Sequence, residues 1–320
     1  MAETIEGIVT KSTGSWYAVF DPATGRTVRC RIRGVFRLRG SRTTNPVVVG
    51  DRVRATVGDG CDEESNDNVI TDLLPRDNYI IRRASNLSKE SHIIAANIDT
   101  AYLVATLDRP MTSTEFIDRF LVTAEAYRIP AVIVLNKMDL FDGAAYRPVV
   151  DEFVETYRGA GYEVVEASAL RNRGIDELRE RMRGRTSLFS GHSGVGKSTL
   201  INAIQPGLEL KTGAISDYHH KGKHTTTFSE IFPLDGGGLL IDTPGVKGFG
   251  LVDIAPEELA RYFPDLFARA AACQYYNCTH THEPNCAVMA AVAAGEVAES
   301  RYASYLKMLE DDDKDGKYRK

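Results

Sequence analysis

Residues 191–198 read Gly-His-Ser-Gly-Val-Gly-Lys-Ser, set between the apolar run Ser187-Leu188-Phe189 and the helix-forming stretch Thr199-Leu200-Ile201-Asn202-Ala203-Ile204. A G-x-x-x-x-G-K-S loop that leaves a buried strand and opens a helix is built to hold phosphate. Its glycines let the main chain turn tightly enough for N–H groups to wrap phosphate oxygens, and the helix N-terminus adds partial positive charge. Of Gly191, His192, Ser193, Gly194, Val195, Gly196, Lys197, Ser198 and Thr199, the lysine suits β- and γ-phosphate oxygens and the Ser198 hydroxyl suits Mg²⁺. Such a loop requires a layered strand–helix fold around it.

The flanking chain has that rhythm. Thr100–Thr106, Ala131–Leu135 and Glu163–Ala167 read as buried strands, and 113–128, 146–158 and 174–182 read as helices. Ser113 or Thr114 is the expected cap of the first helix. This βα alternation predicts a doubly wound parallel sheet with ligands at the carboxyl ends of its strands.

Two of those ends carry base-reading residues. Asn136-Lys137-Met138-Asp139 follows a strand directly, and the Asp139 carboxylate can accept two parallel hydrogen bonds from guanine N1–H and the 2-amino group. Adenine lacks that donor pair, which would leave the carboxylate unsatisfied. Asn136 suits N7, the Lys137 stem covers the base, and the Ser168-Ala169 loop suits guanine O6. Downstream, Leu239-Leu240-Ile241-Asp242-Thr243-Pro244-Gly245 is a strand ending in D-x-x-G. There Asp242 would reach Mg²⁺ through water, and the Gly245 N–H would reach the γ-phosphate. Between them, Lys221-Gly222-Lys223-His224-Thr225-Thr226-Thr227 has the make-up of a switch, with Thr226, then Thr225, as the candidate for Mg²⁺ and γ-phosphate. The base-reading elements precede the phosphate loop, the reverse of the usual order in GTPases, and a circular permutation accounts for it.

The two ends of the chain differ from this middle. Residues 1–72 hold five short strand candidates, 7–10, 16–20, 27–32, 52–57 and 68–70, which suit a small OB-type barrel. Arg26, Arg29, Arg31, Arg33, Arg37, Arg39, Arg42, Arg52 and Arg54 fall where Asp51 is the only acid. Alternation puts Arg29, Arg31 and Arg33 on one strand face, a stripe able to follow a nucleic-acid backbone, with Trp16, Tyr17 and Phe36 as stacking surfaces. Residues 76–97 read as a basic polar connection. Near the other end, Cys273, Cys278 and Cys286 with His280 or His282 offer a closed four-ligand set for one structural zinc. Helices are expected at Pro256–Phe263 and from Ala287 to about Leu309, before a charged, frayed tail over 310–315. Tyr275, Tyr276 and His282 are further candidates for RNA contacts.

At 320 residues, 43% hydrophobic and with a net charge of −5, the chain has material for several cores and no global bias toward nucleic acid. Its first residues lack the basic and apolar regions of a secretory signal, and no apolar run has membrane-spanning length. The expectation is a cytoplasmic monomer with no membrane partner.

The permuted motif order, the Arg-rich barrel in front and the Cys/His knuckle behind resemble the RsgA family (also called YjeQ or YloQ) of small-ribosomal-subunit-dependent GTPases. The resemblance spans essentially the whole chain. It implies domains at 1–75 (OB-fold, RNA-binding), 76–252 (permuted P-loop GTPase) and 253–320 (helical, zinc-binding). It also implies Mg²⁺-dependent GTP hydrolysis to GDP, stimulated by the 30S subunit late in its maturation and coupled to release. The implied RNA is 16S rRNA, with Arg29, Arg31, Arg33, Arg37 and Arg39 as contacts, and the implied fourth zinc ligand is His280. Val246 stands where many GTPases carry a water-orienting Gln, and the resemblance points to His224 in that role, beside Lys197 and Thr226. Gly194 replaces the Asn of some cation-activated GTPases, so K⁺ dependence is not expected. A nucleotide-gated RNA-binding module, or a GTPase acting on another RNA, is the alternative reading.

Overall fold

The computed structural model describes residues 3–13, 16–32, 46–58, 68–82, 92–208, 230–242 and 254–317. In chain order the first elements are β1 (Glu3–Ser12), β2 (Tyr17–Phe20), β3 (Thr27–Ile32), β4 (Arg52–Val57), β5 (Val69–Leu73), β6 (Tyr79–Arg82), β7 (His92–Ala96) and β8 (Thr100–Ala105). Next come α1 (Thr114–Ala126), β9 (Ala131–Leu135), α2 (Arg147–Gly159), β10 (Glu163–Glu166), α3 (Ile175–Met182), β11 (Thr186–Ser190) and α4 (Lys197–Ile204). Then follow β12 (Glu230–Pro233), β13 (Leu239–Asp242), α5 (Pro264–Ala270), α6 (Ala287–Ala293) and α7 (Glu299–Lys317). The chain divides into two compact units.

The first unit comprises Met1–Ala101, Asp176–Ser190 and Ile201–Gly248. Its N-terminal strands hydrogen-bond in the order β1-β2-β3-β5-β4, and β4 returns to β1, which closes a five-stranded OB-type barrel. The period-two pattern decides what fills it: Val9, Tyr17, Val19, Cys30, Val53, Ala55 and Ile70 point inward and are buried. Each Val or Ile among them contributes about 1.5–3 kcal/mol on burial. Asp51 is buried beneath Arg76, whose guanidinium donates to it at 2.6 and 2.7 Å, while its Oδ2 also accepts the Val48 N–H at 2.7 Å.

The stretch expected as a polar connection is ordered differently. β6 and β7 pair antiparallel, and the Ala96 N–H donates to Val49 O at 2.9 Å. Tyr79-Ile80-Ile81 and His92-Ile93-Ile94 supply short apolar arms that the charges between them obscured. Gly50, at φ +88°, lies so close to this hairpin that a Cβ there would sit 2.1 Å from Ala96 O. Elsewhere in the unit, β11 and β13 run parallel with Phe189 opposite Asp242, and β12 lies antiparallel to β13. β1 pairs with the other edge of β12 at Lys11 and Glu230.

The second unit comprises Tyr102–Ile175, Gly191–Leu200 and Phe249–Lys320. It carries the strand order β10-β9-β8, with β10 and β9 parallel, so the βα rhythm read from the sequence is present. Ser113 caps α1, its Oγ accepting the Phe116 N–H at 3.3 Å. At the C-terminal end the single helix expected from Ala287 is two. Gly295, at φ +74°, closes α6 in the left-handed conformation that favours glycine, and α7 begins at Glu299. The α7 backbone then runs on to Lys317 instead of fraying at 310. The segment expected as a helix at Pro256–Phe263 is a 3₁₀ turn over Pro256–Tyr262, and α5 follows it. Phe263, Leu266, Val288, Val297, Tyr305 and Met308 form one core with Val122 of α1. Among the described residues no helix is long and apolar enough to cross a membrane.

Candidate functional site

The phosphate loop leaves β11 at Ser190 and enters α4 at Lys197. Two of its glycines sit in the left-handed conformation that favours glycine, and at the second space is short as well. Gly194 has φ +89°, and a Cβ there would meet Pro110 Cδ at 3.2 Å. Gly196 has φ +87°, and a Cβ would meet Asn136 Nδ2 at 2.7 Å. Val195 is fully buried and pins the loop, whereas Ser193, Gly194 and Thr199 are exposed and Lys197 and Ser198 half-buried.

Asn136, Lys137, Met138 and Asp139 are fastened to this loop and its neighbours. Asn136, buried at the end of β9, donates from Nδ2 to Val195 O at 2.9 Å. Lys137 adopts the left-handed conformation at φ 63°. From there its Nζ donates to Gly194 O at 2.7 Å and also to Arg109 O. Met138 is buried, its N–H donating to Ala167 O at 3.1 Å. Asp139 stays half-buried, and its Oδ1 accepts from the Ser168 hydroxyl. Ser168 is itself fixed by reciprocal backbone hydrogen bonds with Arg173 at 3.0 Å and by the Arg171 N–H, which donates to its Oγ at 3.1 Å. Residues 136–139, 168–169 and 191–199, separated by up to 59 positions where they touch, thus form one constellation.

Asp242 ends β13 in register with Phe189, two residues before Gly191 in sequence. His224, Thr225, Thr226, Gly245 and Val246 lie outside the described residues. Sequence reasoning passed over Thr112 and Phe116, which touch His192: Thr112 Oγ1 lies 2.8 Å from His192 Nε2, and the Phe116 ring meets the imidazole edge-on at 5.5 Å. A threonine before a helix cap and a phenylalanine in an amphipathic helix carry no local signature of such a role.

On the barrel, β3 alternates as its sequence demands, Val28 and Cys30 inward, Arg29 and Arg31 outward. The two guanidinium groups lie over the Trp16 ring at 4.1 and 3.9 Å from its centroid. Arg33, Phe36, Arg37, Arg39, Arg42 and Cys61 lie outside the described residues. Burial pushes the Cys30 thiol up to about 12, so it is an unreactive core residue.

Near the C-terminus Cys273, Cys278, His280 and Cys286 gather with all ligand atoms within 4.8 Å of one another. Cys273 Sγ lies 3.9 Å from Cys286 Sγ and 3.6 Å from His280 Nδ1, and Cys286 Sγ lies 3.4 Å from that nitrogen. Four ligands about 2.0–2.3 Å from a common centre stand roughly 3.4–3.8 Å apart in a tetrahedron, so the donor set fits one zinc. His282 is exposed, and its Nδ1 faces Thr281 Oγ1 at 2.8 Å. Tyr302 and Tyr305 hold the His280 turn by donating to His280 O and Thr279 O, both at 2.7 Å. Tyr276 is fully exposed.

Glu283 organises the same turn, accepting from Thr279 N at 2.7 Å, Thr279 Oγ1 at 2.6 Å and Thr281 N at 3.1 Å. Burial works to raise its carboxyl, but these hydrogen bonds hold it well below the usual carboxylate range. Its stabilising contribution is therefore present above the unfolded carboxyl value of about 4.3, begins to fall as pH drops below it, and is lost only as pH falls through the much lower folded value. Glu283→Gln is expected to cost about 1–3 kcal/mol at neutral pH. In thermal melts the gap to wild type should narrow from pH 7 to pH 3.5, and a constant gap would refute this role.

Residues 73–252 match the family model for the RsgA GTPase, and residues 6–62 match that for the RsgA N-terminal domain. The chain is 54% identical over 315 residues to the small ribosomal subunit biogenesis GTPase RsgA of Bacteroides fragilis, covering 98% of this chain and 99% of that one. It is 50% identical over 311 residues to the protein of the same name from Porphyromonas gingivalis, covering 96% and 97%. Among solved structures it resembles YjeQ from Thermotoga maritima, with TM-score 0.77 and 39% identity over 97% of this chain and 98% of that one. It also resembles YloQ, described as a circularly permuted GTPase, with TM-score 0.74 and 29% identity over 97% and 95%.

Proposed function

The chain belongs to the RsgA GTPase family, and on that footing we propose that it hydrolyses GTP on the 30S ribosomal subunit late in subunit maturation and leaves as GDP forms. The observation that carries the guanine part is the fastening of Asn136, Lys137 and Asp139 to the phosphate loop and Ser168. In this reading 1–75 is the RNA-binding domain, 76–252 the permuted GTPase domain and 253–320 the zinc-binding domain.

Each residue then has a part. Asp139 accepts the two guanine N–H groups, Asn136 meets N7, Lys137 covers the base and the Ser168-Ala169 backbone meets O6. The N–H groups of 191–199 wrap the phosphates, and Lys197 neutralises them. Mg²⁺, when bound, would spread the charge developing on the β- and γ-phosphates, and Ser198, Thr226 and Asp242 (through water) are the residues to hold it. Gly245 meets the γ-phosphate. Val246 has no group to orient water, which leaves His224 as the candidate. A bound zinc ion deprotonates the thiols that coordinate it, and so would keep the three sulfurs ionised and the knuckle folded. Arg29, Arg31, Arg33, Arg37 and Arg39 form the candidate contact to 16S rRNA, and the protein acts in the cytoplasm as a monomer.

GTP turnover measured with and without purified 30S subunits tests the reading. We expect turnover to rise at least tenfold, and the protein to pellet with 30S particles in a non-hydrolysable GTP analogue more than in GDP. Unchanged turnover with nucleotide-dependent pelleting would point instead to an RNA-binding module whose hydrolysis is incidental, and absence of both effects to another RNA.

A further inference from the structure

Helix α1 is held between the phosphate loop on one side and the C-terminal helices on the other. Phe116 and Asp118 are two residues apart, about 200° around a helix, and so project to nearly opposite faces. Phe116 and Thr112 meet His192, as described. Thr112, two residues before α1 begins, is itself buried and fixed twice to Thr106, its N–H donating to Thr106 O at 2.8 Å and its Oγ1 accepting the Thr106 N–H at 3.0 Å. It thus ties the short turn that leads into α1 to the end of β8.

On the opposite face Asp118 is fully buried against an equally buried Arg301 of α7, with Nη1 donating to Oδ1 at 2.6 Å. The remaining arms of that guanidinium grip Asp265 of α5, from Nε at 3.1 Å and Nη2 at 2.8 Å. Its carbon lies 4.7 Å from the Phe263 ring centroid and 5.6 Å from that of Tyr162. Apolar side chains of similar volume would stabilise such a junction as well as charges do. A planar fork between two carboxylates adds direction: it fixes how α1 is rotated and advanced along its axis relative to α5 and α7. Lys307 of α7 repeats the link at the surface by donating to Glu115.

We propose that Arg301 is a positioning residue for the phosphate loop: through Asp118 it sets α1, and α1 with the turn that leads into it presents Phe116 and Thr112 to His192. The proposal rests on the reading of 191–198 as the nucleotide site. By linkage, whatever the α5–α7 end does to nucleotide affinity, nucleotide must do to the α5–α7 end. This route runs through α1 and does not involve the segment after Asp242.

Hydrogen exchange with GDP, on the full chain with its metal, tests it. In wild type GDP is expected to slow exchange both at 191–200 and, by about threefold or more, at α5 and α7. Thr112→Val keeps the shape but removes both the His192 contact and the acceptor for the Thr106 N–H; it should retain protection at 191–200 and lose it at α5 and α7, and Thr112→Ser, which keeps the hydroxyl for both partners, should preserve it. Arg301→Lys keeps the charge and loses the fork, and it should weaken GDP binding about fivefold or more at unchanged zinc content. Combined with Thr112→Val it should add less than the product of the two single effects, because both cut one route. Persistent α7 protection in Thr112→Val, or fully multiplicative effects, would overturn the proposal. No protection at 191–200 in wild type would overturn the nucleotide reading instead.

Discussion

Asp139→Asn is expected to weaken guanine nucleotide binding by a hundredfold or more and to create a preference for the xanthine nucleotide. The wild-type carboxylate offers two acceptors and no donor, which matches guanine N1–H and its 2-amino group. An amide presents an NH₂ to that amino group, donor against donor, whereas xanthine places a carbonyl oxygen there. Sites built to hydrogen-bond a ligand reject a mismatched analogue by about 10⁴-fold, because their own buried groups go unpaired. Ser168 sharpens the effect. Its hydroxyl donates to Asp139 Oδ1 and is held by Arg171 and Arg173, so the residue at 139 cannot swing away to relieve the clash. Competition of GDP, XDP and ADP for a fluorescent guanine nucleotide reads this directly, and undiminished GDP binding would remove Asp139 from the base pocket.

The second large effect concerns the metal. Stripping zinc with a chelator, or Cys286→Ser, is expected to unfold the C-terminal helices and not merely loosen them. Structural zinc contributes about 10–16 kcal/mol to the folding of comparable small sites, as much as the whole stability of a typical domain. Here the ligands lie among the residues that bury Phe263, Val288, Tyr305 and Met308, and Cys286 belongs to that core itself. Circular dichroism should show loss of helix in step with release of one zinc per chain. A protein isolated without zinc and with full helical signal would sink the assignment.

The parts legible in the sequence are those whose chemistry is local. A phosphate loop needs its glycines and lysine within eight residues, a guanine reader needs four, and a knuckle needs its cysteines within reach of one ion. The period-two run at 27–32 likewise announced both the barrel interior and the outward Arg29 and Arg31. What stayed hidden depends on distant partners. Arg301 looks like any helix-surface arginine until Asp118 is brought to it from 183 residues away. β6 and β7 are four and five residues long and gain their identity from pairing with each other. Gly295 was legible as a glycine, but only the left-handed turn it makes separates α6 from α7.

The pairing of β1 with β12 bears on how this molecule can be dissected. β12 has β13 on one side and β1 on the other, joined at Lys11 and Glu230, whose side chains also meet at 2.9 Å. Excising the N-terminal barrel would remove the strand that β12 meets at Glu230 and open that end of its edge to another strand, a known route to aggregation. The barrel thus serves as a built-in sheath for that edge. A shortened protein would need a substitute, such as lysine or proline along β12, before its loss of activity said anything about RNA.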